Sequence, residues 1–198
     1  LIIIFSIFKF EDHNMFINSS KSYFPNDDTK NTNLMIKWFE DNDIKEPNLL
    51  DYLDLVSLGT VCDVVPLIGL NRAMVKQGLK ILKYKKNLGL KTLLDVSKIN
   101  SSPSTYQLGY MLGPRINAGG RVGKCSHGAN LLIEKNPKNV FKIATELEQY
   151  NKERQMLERD LLNKILQNSK DFFSDPVLIL HGSNWHEGVI GIVASRLK

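Results

Sequence analysis

The chain has 198 residues, of which 42% are hydrophobic and 24% are charged, and this balance is typical of a globular protein with a hydrophobic core rather than of a disordered chain. Lysine and arginine outnumber aspartate and glutamate by 26 to 21, which gives a formal charge of +5 and favours an anionic partner, although lysine richness alone produces the same balance. The two cysteines, Cys62 and Cys125, lie too far apart in sequence for the spacing of a metal site, and they suit a reducing cytoplasm.

The first forty residues predict little regular structure. Residues 1–8 form an apolar run that is too short to span a bilayer and lacks the flanks of a signal peptide, so we expect a buried strand or helix and no membrane anchor. Residues 11–33 are polar and predict a loop, in which Asp12 and His13 are expected at the surface. Residues 34–42 predict a short amphipathic helix. Because the chain starts at leucine and stops within an apolar pattern, we expect an internal portion of a longer protein.

The next helical pattern leads to an isolated carboxylate. Residues 49–58 carry apolar side chains at helical spacing, with Asn48 as a cap and Gly59 at the expected end. The following run, 60–67, is apolar except for Asp63 in its middle. A carboxylate among valines is costly to bury unless it is paired or binds a cation. Two interpretations of Asp63 therefore stay open, namely an N-cap or turn residue and a metal ligand.

Three more helical patterns precede the most distinctive stretch of the chain. Residues 71–82 are amphipathic, with lysines on the exposed side. Residues 90–96 predict a short helix. After a break at 101–104, residues 105–112 predict a helix that leads into a glycine-rich stretch.

That stretch, residues 112–123, combines four glycines with Arg115, Asn117 and Arg121. Glycine permits positive φ and a close approach of the backbone to a ligand, while arginine supplies a forked, permanently charged donor for phosphate. We expect an anion-binding loop at a helix end, with free N–H groups facing the anion. From composition alone, a glycine-rich turn with two solvated arginines remains the alternative.

Two helices are predicted after this stretch. Residues 126–133 form a short one, in which His127 either contacts phosphate or, as we favour, caps the turn. Residues 137–168 carry the longest periodic pattern and predict a helix of about 30 residues and roughly 45 Å, long enough to bridge two domains. Its exposed face is expected to carry charges of alternating sign, from Glu146, Glu148, Lys152, Glu153, Arg154, Glu158, Arg159 and Asp160.

The remaining residues predict the start of a second structural unit near Asp175. Residues 177–180 read as a buried strand, 181–188 as a polar turn and 189–197 as a helix of small residues. The predicted fold class is therefore α/β, with a mostly helical first part joined by a long connector helix to the start of a second α/β domain.

Three of these stretches together resemble the signatures of the RecJ single-stranded-DNA exonucleases, members of the DHH phosphoesterase superfamily. They are LGTVCDVVPL at 58–67, GPRINAGGR at 113–121 and WHEGVIGIVASRL at 185–197. Their order and separation fit that family, and the resemblance covers 48–198. It implies the C-terminal part of a DHH-type catalytic domain over 1–136, with 1–33 matched poorly, a connector helix over 137–170 and the truncated start of a DHH-associated domain over 175–198.

The resemblance implies a nuclease that uses Mn²⁺ or Mg²⁺ in a two-metal site to hydrolyse phosphodiester bonds of single-stranded DNA in the 5′→3′ direction, in DNA repair and recombination. Asp63 matches the family's last aspartate ligand, which favours its interpretation as a metal ligand. The catalytic roles implied are those of Asp63, Arg115, Asn117 and Arg121. The substrate-binding residues implied are Arg115, Asn117, Gly119, Gly120, Arg121, His186 and Gly188, of which the last two have a structural role as their alternative.

The resemblance is incomplete, and two alternatives stay open. The family's earlier aspartate motifs and its Asp-His-His motif are unmatched, so we expect one metal ligand of several and no DNA cleavage by this chain alone. One alternative is a DHH phosphodiesterase acting on short oligonucleotides, cyclic dinucleotides or pyrophosphate, and the other is a non-catalytic nucleic-acid-binding relative. The expected partner is single-stranded DNA and the expected state a cytoplasmic monomer, with repair or helicase partners left open.

Overall fold

The computed structural model describes residues 41–42, 48–84, 86–100, 103–168, 177 and 179–197, and none of these residues is in a β-strand. The α-helices in these ranges are α1 (Leu53–Cys62), α2 (Gly69–Leu82), α3 (Leu88–Val96), α4 (Gly113–Val122), α5 (His127–Ile133), α6 (Pro137–Asn168) and α7 (Glu187–Leu197). A 3-10 turn, Leu49–Tyr52, precedes α1, and a π-helical segment, Gln107–Leu112, runs directly into α4. The apolar run at 1–8, the loop at 11–33 with Asp12 and His13, and all but the end of the helix predicted over 34–42 lie outside the described residues.

The start of the described fold follows the sequence pattern with one correction. As predicted, Asn48 is a cap, since its Oδ1 accepts a hydrogen bond from the backbone N–H of Leu50 at 3.2 Å. The helix does not end near Gly59, however, but continues to Cys62. A glycine inside a helix costs only about 1 kcal/mol, and the burial of Leu55 and Leu58 on the same helix outweighs that cost.

A first hydrophobic core joins most of the helices. It contains fully buried leucines of α3 and the π-helical segment, together with residues of α1, α2, α5 and the N-terminal half of α6. Its buried members are Leu55, Leu58, Leu82, Leu90, Leu93, Leu94, Ile99, Leu108, Leu112, Leu131, Leu132, Val140, Ala144 and Leu147. This core holds α4 indirectly, because Ile116 packs against it from one side.

The long helix has the bounds that its periodicity predicts, and it takes part in two cores. Beyond the first core, α6 contributes Leu161 and Ile165 to a second core that Val189 and Val193 of α7 complete. Leu180 and Trp185, which precede α7, pack against this second core. The connector therefore carries α7 to the side of α4, where the candidate site lies.

The predicted buried strand at 177–180 is wrong for the residues that the structure describes. Val177 and Ile179 are 71% and 84% exposed, and neither is in a strand. A strand needs a neighbouring strand to pair its backbone N–H and C=O groups, and the described ranges contain none. In this part of the chain the fold is helical rather than α/β, and α7 begins at Glu187, two residues before the predicted start. Among the described helices, none has the length and apolar character needed to cross a membrane.

Candidate functional site

The glycine and arginine stretch forms helix α4, not the loop that we predicted. Its backbone N–H groups lie within a helix that continues from the π-helical segment, so they do not form a free anion-binding nest. The glycines serve close packing instead: a Cβ on Gly113 would lie 2.6 Å from the Sγ atom of Cys62, and one on Gly119 would lie 2.7 Å from the carbonyl oxygen of Lys124. Gly120 differs, since a Cβ there would meet nothing within 4 Å. Any contact of α4 with an anion must therefore come through side chains.

A small cavity lies beside α4, with a volume of about 160 Å³. Four helices and the π-helical segment contribute to its wall, and the two charged residues in its lining are both arginines. The lining residues are Cys62, Gly109, Gly113, Pro114, Asn117, Arg121, Arg154 and Ile192. An arginine-lined cavity without a carboxylate in its wall suits an anion.

Two of the predicted site residues, Asn117 and Arg121, meet at this cavity because they stand four positions apart on α4 and share one face. Both are exposed. The Nη1 atom of Arg121 donates a hydrogen bond to the backbone carbonyl of Gly188 at 3.1 Å, which ties the end of α4 to the start of α7. One donor of the Arg121 fork is thus used in holding α7, and others remain for a ligand.

Arg115 does not line this cavity. Its Nε donates a hydrogen bond to Oε2 of Glu148 on α6 at 2.6 Å, and its Nη1 donates to the backbone carbonyl of Met111 at 2.8 Å. The side chains of Arg115 and Glu148 are 15% and 16% exposed, so this ion pair is largely shielded from solvent. The structure therefore gives Arg115 a role between α4 and α6 that the sequence pattern did not predict.

Asp63 lies in a turn at the C-cap of α1, so of the structural interpretations the turn residue is confirmed and the N-cap is wrong. Its side chain is exposed, which removes the burial cost that drew attention to it. Asp63 directly follows Cys62, which lines the cavity. Burial, and to a smaller extent the charge of Asp63, raise the pKa of the Cys62 thiol to about 11. The described residues contain no group of three or more His, Cys, Asp or Glu side chains placed to bind a metal. They offer one carboxylate rather than a metal site, and the metal role of Asp63 stays a prediction.

The two predicted residues near α7 have packing and capping contacts. Nδ1 of His186 accepts a hydrogen bond from the backbone N–H of Gly188 at 3.1 Å, so His186 caps α7. A Cβ on Gly188 would overlap the backbone carbonyl oxygen of Arg121, which makes glycine necessary where α7 meets α4. These contacts agree with the structural alternative for both residues, and a role beside substrate stays a prediction.

His127 faces the interior rather than the cavity. It is 8% exposed, its Nδ1 atom lies 3.3 Å from Oε2 of Glu146, and its ring lies 5.9 Å from that of Tyr150. Ser126 rather than His127 holds the N-cap position of α5, so the favoured interpretation of His127 as a cap does not hold, and its side chain packs between α5 and α6 instead.

The sequence analysis missed the part of the site that α6 supplies. Arg154 and Glu158 were expected on an exposed face, yet their side chains are 11% and 3% exposed. Nη1 of Arg154 donates to Oε2 of Glu158 at 2.8 Å, and Nη2 donates to Oδ1 of Asn151 at 3.0 Å. The other carboxylate oxygen of Glu158 lies 2.5 Å from Nη2 of Arg196 on α7. Burial lowers the pKa of Arg154, the charge of Glu158 opposes this, and neighbouring arginines add to the lowering.

A signal for this buried charge is visible in the sequence. Asn151, Arg154 and Glu158 fall at alternating intervals of three and four between Leu147 and Leu161, and so occupy the apolar stripe of α6 rather than its opposite face. Charged residues at positions of the apolar face of a helix therefore indicate a buried ion pair, whereas charged residues on the opposite face indicate a solvated one.

Comparison with known proteins identifies relatives for most of the chain, although no protein-family model matches it. The chain is 38% identical over 169 residues to the single-stranded-DNA-specific exonuclease RecJ of Escherichia coli, and 39% identical over 171 residues to that of Salmonella typhimurium. Each match covers 81% of this chain and 29% of the relative. The chain thus spans less than a third of the length of the curated relatives it matches.

Solved structures agree with the sequence matches. The crystal structures of RecJ from Thermus thermophilus in complex with Mn²⁺ and with Mg²⁺ each superpose with a TM-score of 0.69 at 33% identity. Each superposition covers 80% of this chain, and 24% and 25% of the respective RecJ chains. The chain therefore corresponds to one region of a larger protein in those structures.

Proposed function

The chain is a RecJ-type sequence, and from this premise we propose that it forms part of a single-stranded-DNA-specific exonuclease in which the cavity beside α4 holds a phosphate group of the DNA. The observation that carries the proposal is the pair of arginines in the cavity wall, one of which, Arg121, lies in the stretch that resembles the RecJ signature. Arginine binds phosphate oxygens through a planar fork of N–H groups with permanent charge. The named activity of the relatives makes a DNA phosphodiester the substrate that such a cavity would receive.

The chemistry proposed for these residues is electrostatic. Hydrolysis of a phosphodiester places additional negative charge on the phosphoryl oxygens in the transition state, and donors fixed in advance stabilise that charge. Arg121 would hold a phosphoryl oxygen, while Asn117 on the same face of α4 would orient the strand through its amide. Arg115 would act indirectly, because its ion pair with Glu148 holds α4 against α6.

A divalent cation belongs to this proposal, because the RecJ structures from Thermus thermophilus contain Mn²⁺ and Mg²⁺. We assign Asp63 one coordinating carboxylate. Since the described residues hold no cluster of metal-binding side chains, the remaining ligands would come from residues other than these. For the same reason this chain alone is expected to bind DNA without cleaving it.

The finer parts of the assignment rest on the resemblance. They are 5′→3′ digestion, a role in DNA repair and recombination, a cytoplasmic location, a monomeric state, and the division into a catalytic portion (1–136), a connector (137–170) and the start of a DHH-associated domain (175–198). The connector has the most support, because α6 spans Pro137–Asn168 and contributes to two separate cores.

A non-catalytic nucleic-acid-binding protein is the second candidate, because the two arginines of the cavity wall would bind a nucleic-acid phosphate without any catalysis. A phosphodiesterase for short oligonucleotides or cyclic dinucleotides has no such observation in its favour. The two nuclease possibilities differ in whether long strands are digested at all.

The test uses a full-length RecJ-type protein that contains this segment. Nucleotide release from long single-stranded DNA labelled at either end is measured with Mn²⁺, beside a dinucleotide and a duplex. We expect digestion of the single strand from its 5′ end, and a loss of roughly 10- to 150-fold in kcat/KM for Arg121→Gln, the equivalent of one charge-assisted hydrogen bond. Asp63→Ala is expected to abolish the nucleotide release that Mn²⁺ supports.

Arg159→Gln is the matched control, because Arg159 is an exposed arginine of α6 outside the cavity lining. Equal activity of the Arg121 and Arg159 variants would refute the phosphate assignment. Binding of single-stranded DNA without any metal-dependent cleavage by the full-length protein would favour the non-catalytic candidate.

A further inference from the structure

Arg154 is a largely buried arginine in the wall of the cavity beside α4. Its side chain is only 11% exposed, and it reaches the cavity from α6, a different element from the one that carries Arg121. Two of its nitrogens have partners, namely Glu158 and Asn151. Its third nitrogen, Nε, is shielded from solvent and has no hydrogen-bond partner among the residues that the structure describes. A buried N–H without a partner is costly, typically about 1–3 kcal/mol, and the side chain that carries this one lines the cavity.

The surrounding charges favour an anion as that ligand. Arg121 and Arg154 are the charged residues in the cavity lining, and Arg196 lies behind Arg154 on the shared carboxylate of Glu158. The carboxylate of Glu158 thus pairs with both Arg154 and Arg196. Arg121 donates its hydrogen bond to the uncharged backbone carbonyl of Gly188. The positive charge around the cavity exceeds the negative charge that the described neighbours supply.

The cavity is large enough for such an anion. A volume of about 160 Å³ is several times what one water molecule needs, so a phosphate group of a bound strand fits.

We infer that Arg154 is a second phosphate-binding side chain of this cavity, which binds the same phosphate group as Arg121. The inference rests on the proposed function for the identity of the strand, but the anion site itself does not. Asn151 and Glu158 are positioning residues in this arrangement, because each holds one Nη atom of Arg154 and leaves Nε without a protein partner.

The experiment observes the Nε–H group directly. The chain is labelled with ¹⁵N, and the arginine Nε–Hε signals are followed by NMR as inorganic phosphate or a short 5′-phosphorylated oligothymidylate is added. The Arg154 signal is identified by its absence from the spectrum of Arg154→Lys. We expect this signal to move with both ligands, and to move together with the Arg121 signal at one dissociation constant.

Binding of the oligothymidylate is then measured by fluorescence anisotropy for four variants. Arg154→Gln and Arg121→Gln are each expected to weaken binding by about tenfold or more, while Arg154→Lys, which keeps the charge but loses the fork, has a smaller effect. Arg159→Gln is the control and should bind as the unaltered chain does. Thermal unfolding of each variant shows whether the fold is intact.

The outcomes separate this inference from the proposed function. If Arg121→Gln weakens oligothymidylate binding and folded Arg154→Gln does not, the proposed function stands and the inference is overturned. If inorganic phosphate shifts the Arg154 signal but the oligothymidylate does not bind, the anion site stands and the proposed function fails. Should Arg154→Gln not fold, an Arg154 signal in the unaltered chain that stays fixed at saturating ligand overturns the inference.

Discussion

Replacement of Gly188 by alanine tests whether α7 is held against α4 by a contact that only glycine permits. The added methyl group would overlap the carbonyl oxygen of Arg121 and lie 2.8 Å from its carbonyl carbon. Both atoms belong to the backbone of a helix, so neither can rotate away. Overpacking of this kind costs about 1–3 kcal/mol, and we expect Gly188→Ala to weaken the docking of α7 by that amount.

Gly191, on the same helix, provides the matched control. A Cβ there would meet nothing within 4 Å, so Gly191→Ala should gain up to about 1 kcal/mol from helix propensity alone. The two variants are therefore expected to differ by about 2–4 kcal/mol in the free energy of α7 docking.

Hydrogen exchange of the backbone amides in residues 191–197 measures this docking. Since 1.4 kcal/mol corresponds to a factor of ten, the expected difference makes exchange in Gly188→Ala about 30- to 700-fold faster than in Gly191→Ala. Exchange in α3, which lies in the first core, should change little. Equal exchange of α7 in the two variants would show that α7 does not contact α4 as described. The structural interpretation of Gly188 would then be refuted, and the substrate-binding interpretation would remain.

Two further predictions concern buried carboxylates. Glu158→Ala leaves Arg154 without its buried partner and Arg196 without its contact with α6. We expect the free energy of unfolding in urea to fall by about 3–5 kcal/mol, against less than about 0.5 kcal/mol for the exposed control Glu153→Ala. Equal unfolding midpoints of the two variants would contradict the ion-pair network. Burial raises the pKa of Asp54 above 3.8, so its folded form is favoured by protonation and the unaltered chain loses stability as pH rises from 3.8 through that raised pKa. Asp54→Asn should therefore be more stable than the unaltered chain at pH 7, with a gain that shrinks on acidification towards pH 3.8, and a gain independent of pH would contradict this explanation.

The sequence predicted the helices best where a single amphipathic pattern ran without interruption. The long helix was predicted over 137–168 and is found over Pro137–Asn168, because its apolar stripe and the proline at its first position are local features. The resemblance to RecJ was also confirmed, since it depended on the identity and order of residues rather than on their conformation.

The conformation of the 113–122 stretch could not be predicted in the same way. Its glycines predict a loop by local propensity, but in the fold they allow Cys62 and Lys124 to approach α4, and this tertiary contact decides in favour of a helix. The strand expected at 177–180 is not found at its described residues, and a short apolar run becomes a strand only where another strand, of which the described ranges contain none, pairs with it.

The composition of the cavity wall was only half predictable. Asn117 and Arg121 were named from their own stretch, whereas Arg154 joins them from a position 33 residues after Arg121 in the sequence. Its burial requires α7 to lie across α6, which no periodicity within α6 specifies. The sequence indicates the burial of Arg154 only through the polar residues that interrupt the apolar face of α6.

The two cores that share α6 are unequal, and this sets an order of opening. The first has fourteen buried members and the second has four, so the second is expected to open at a lower free energy while the first stays intact. Ile192 of α7 would then leave the cavity wall and Arg154 would lose the cover of α7, whereas the residues that α1 and α4 place there keep their support. The cavity thus combines one rigid wall with one that can open locally, so that the rate at which an anion enters or leaves would depend on α7 rather than on the arginines that bind it.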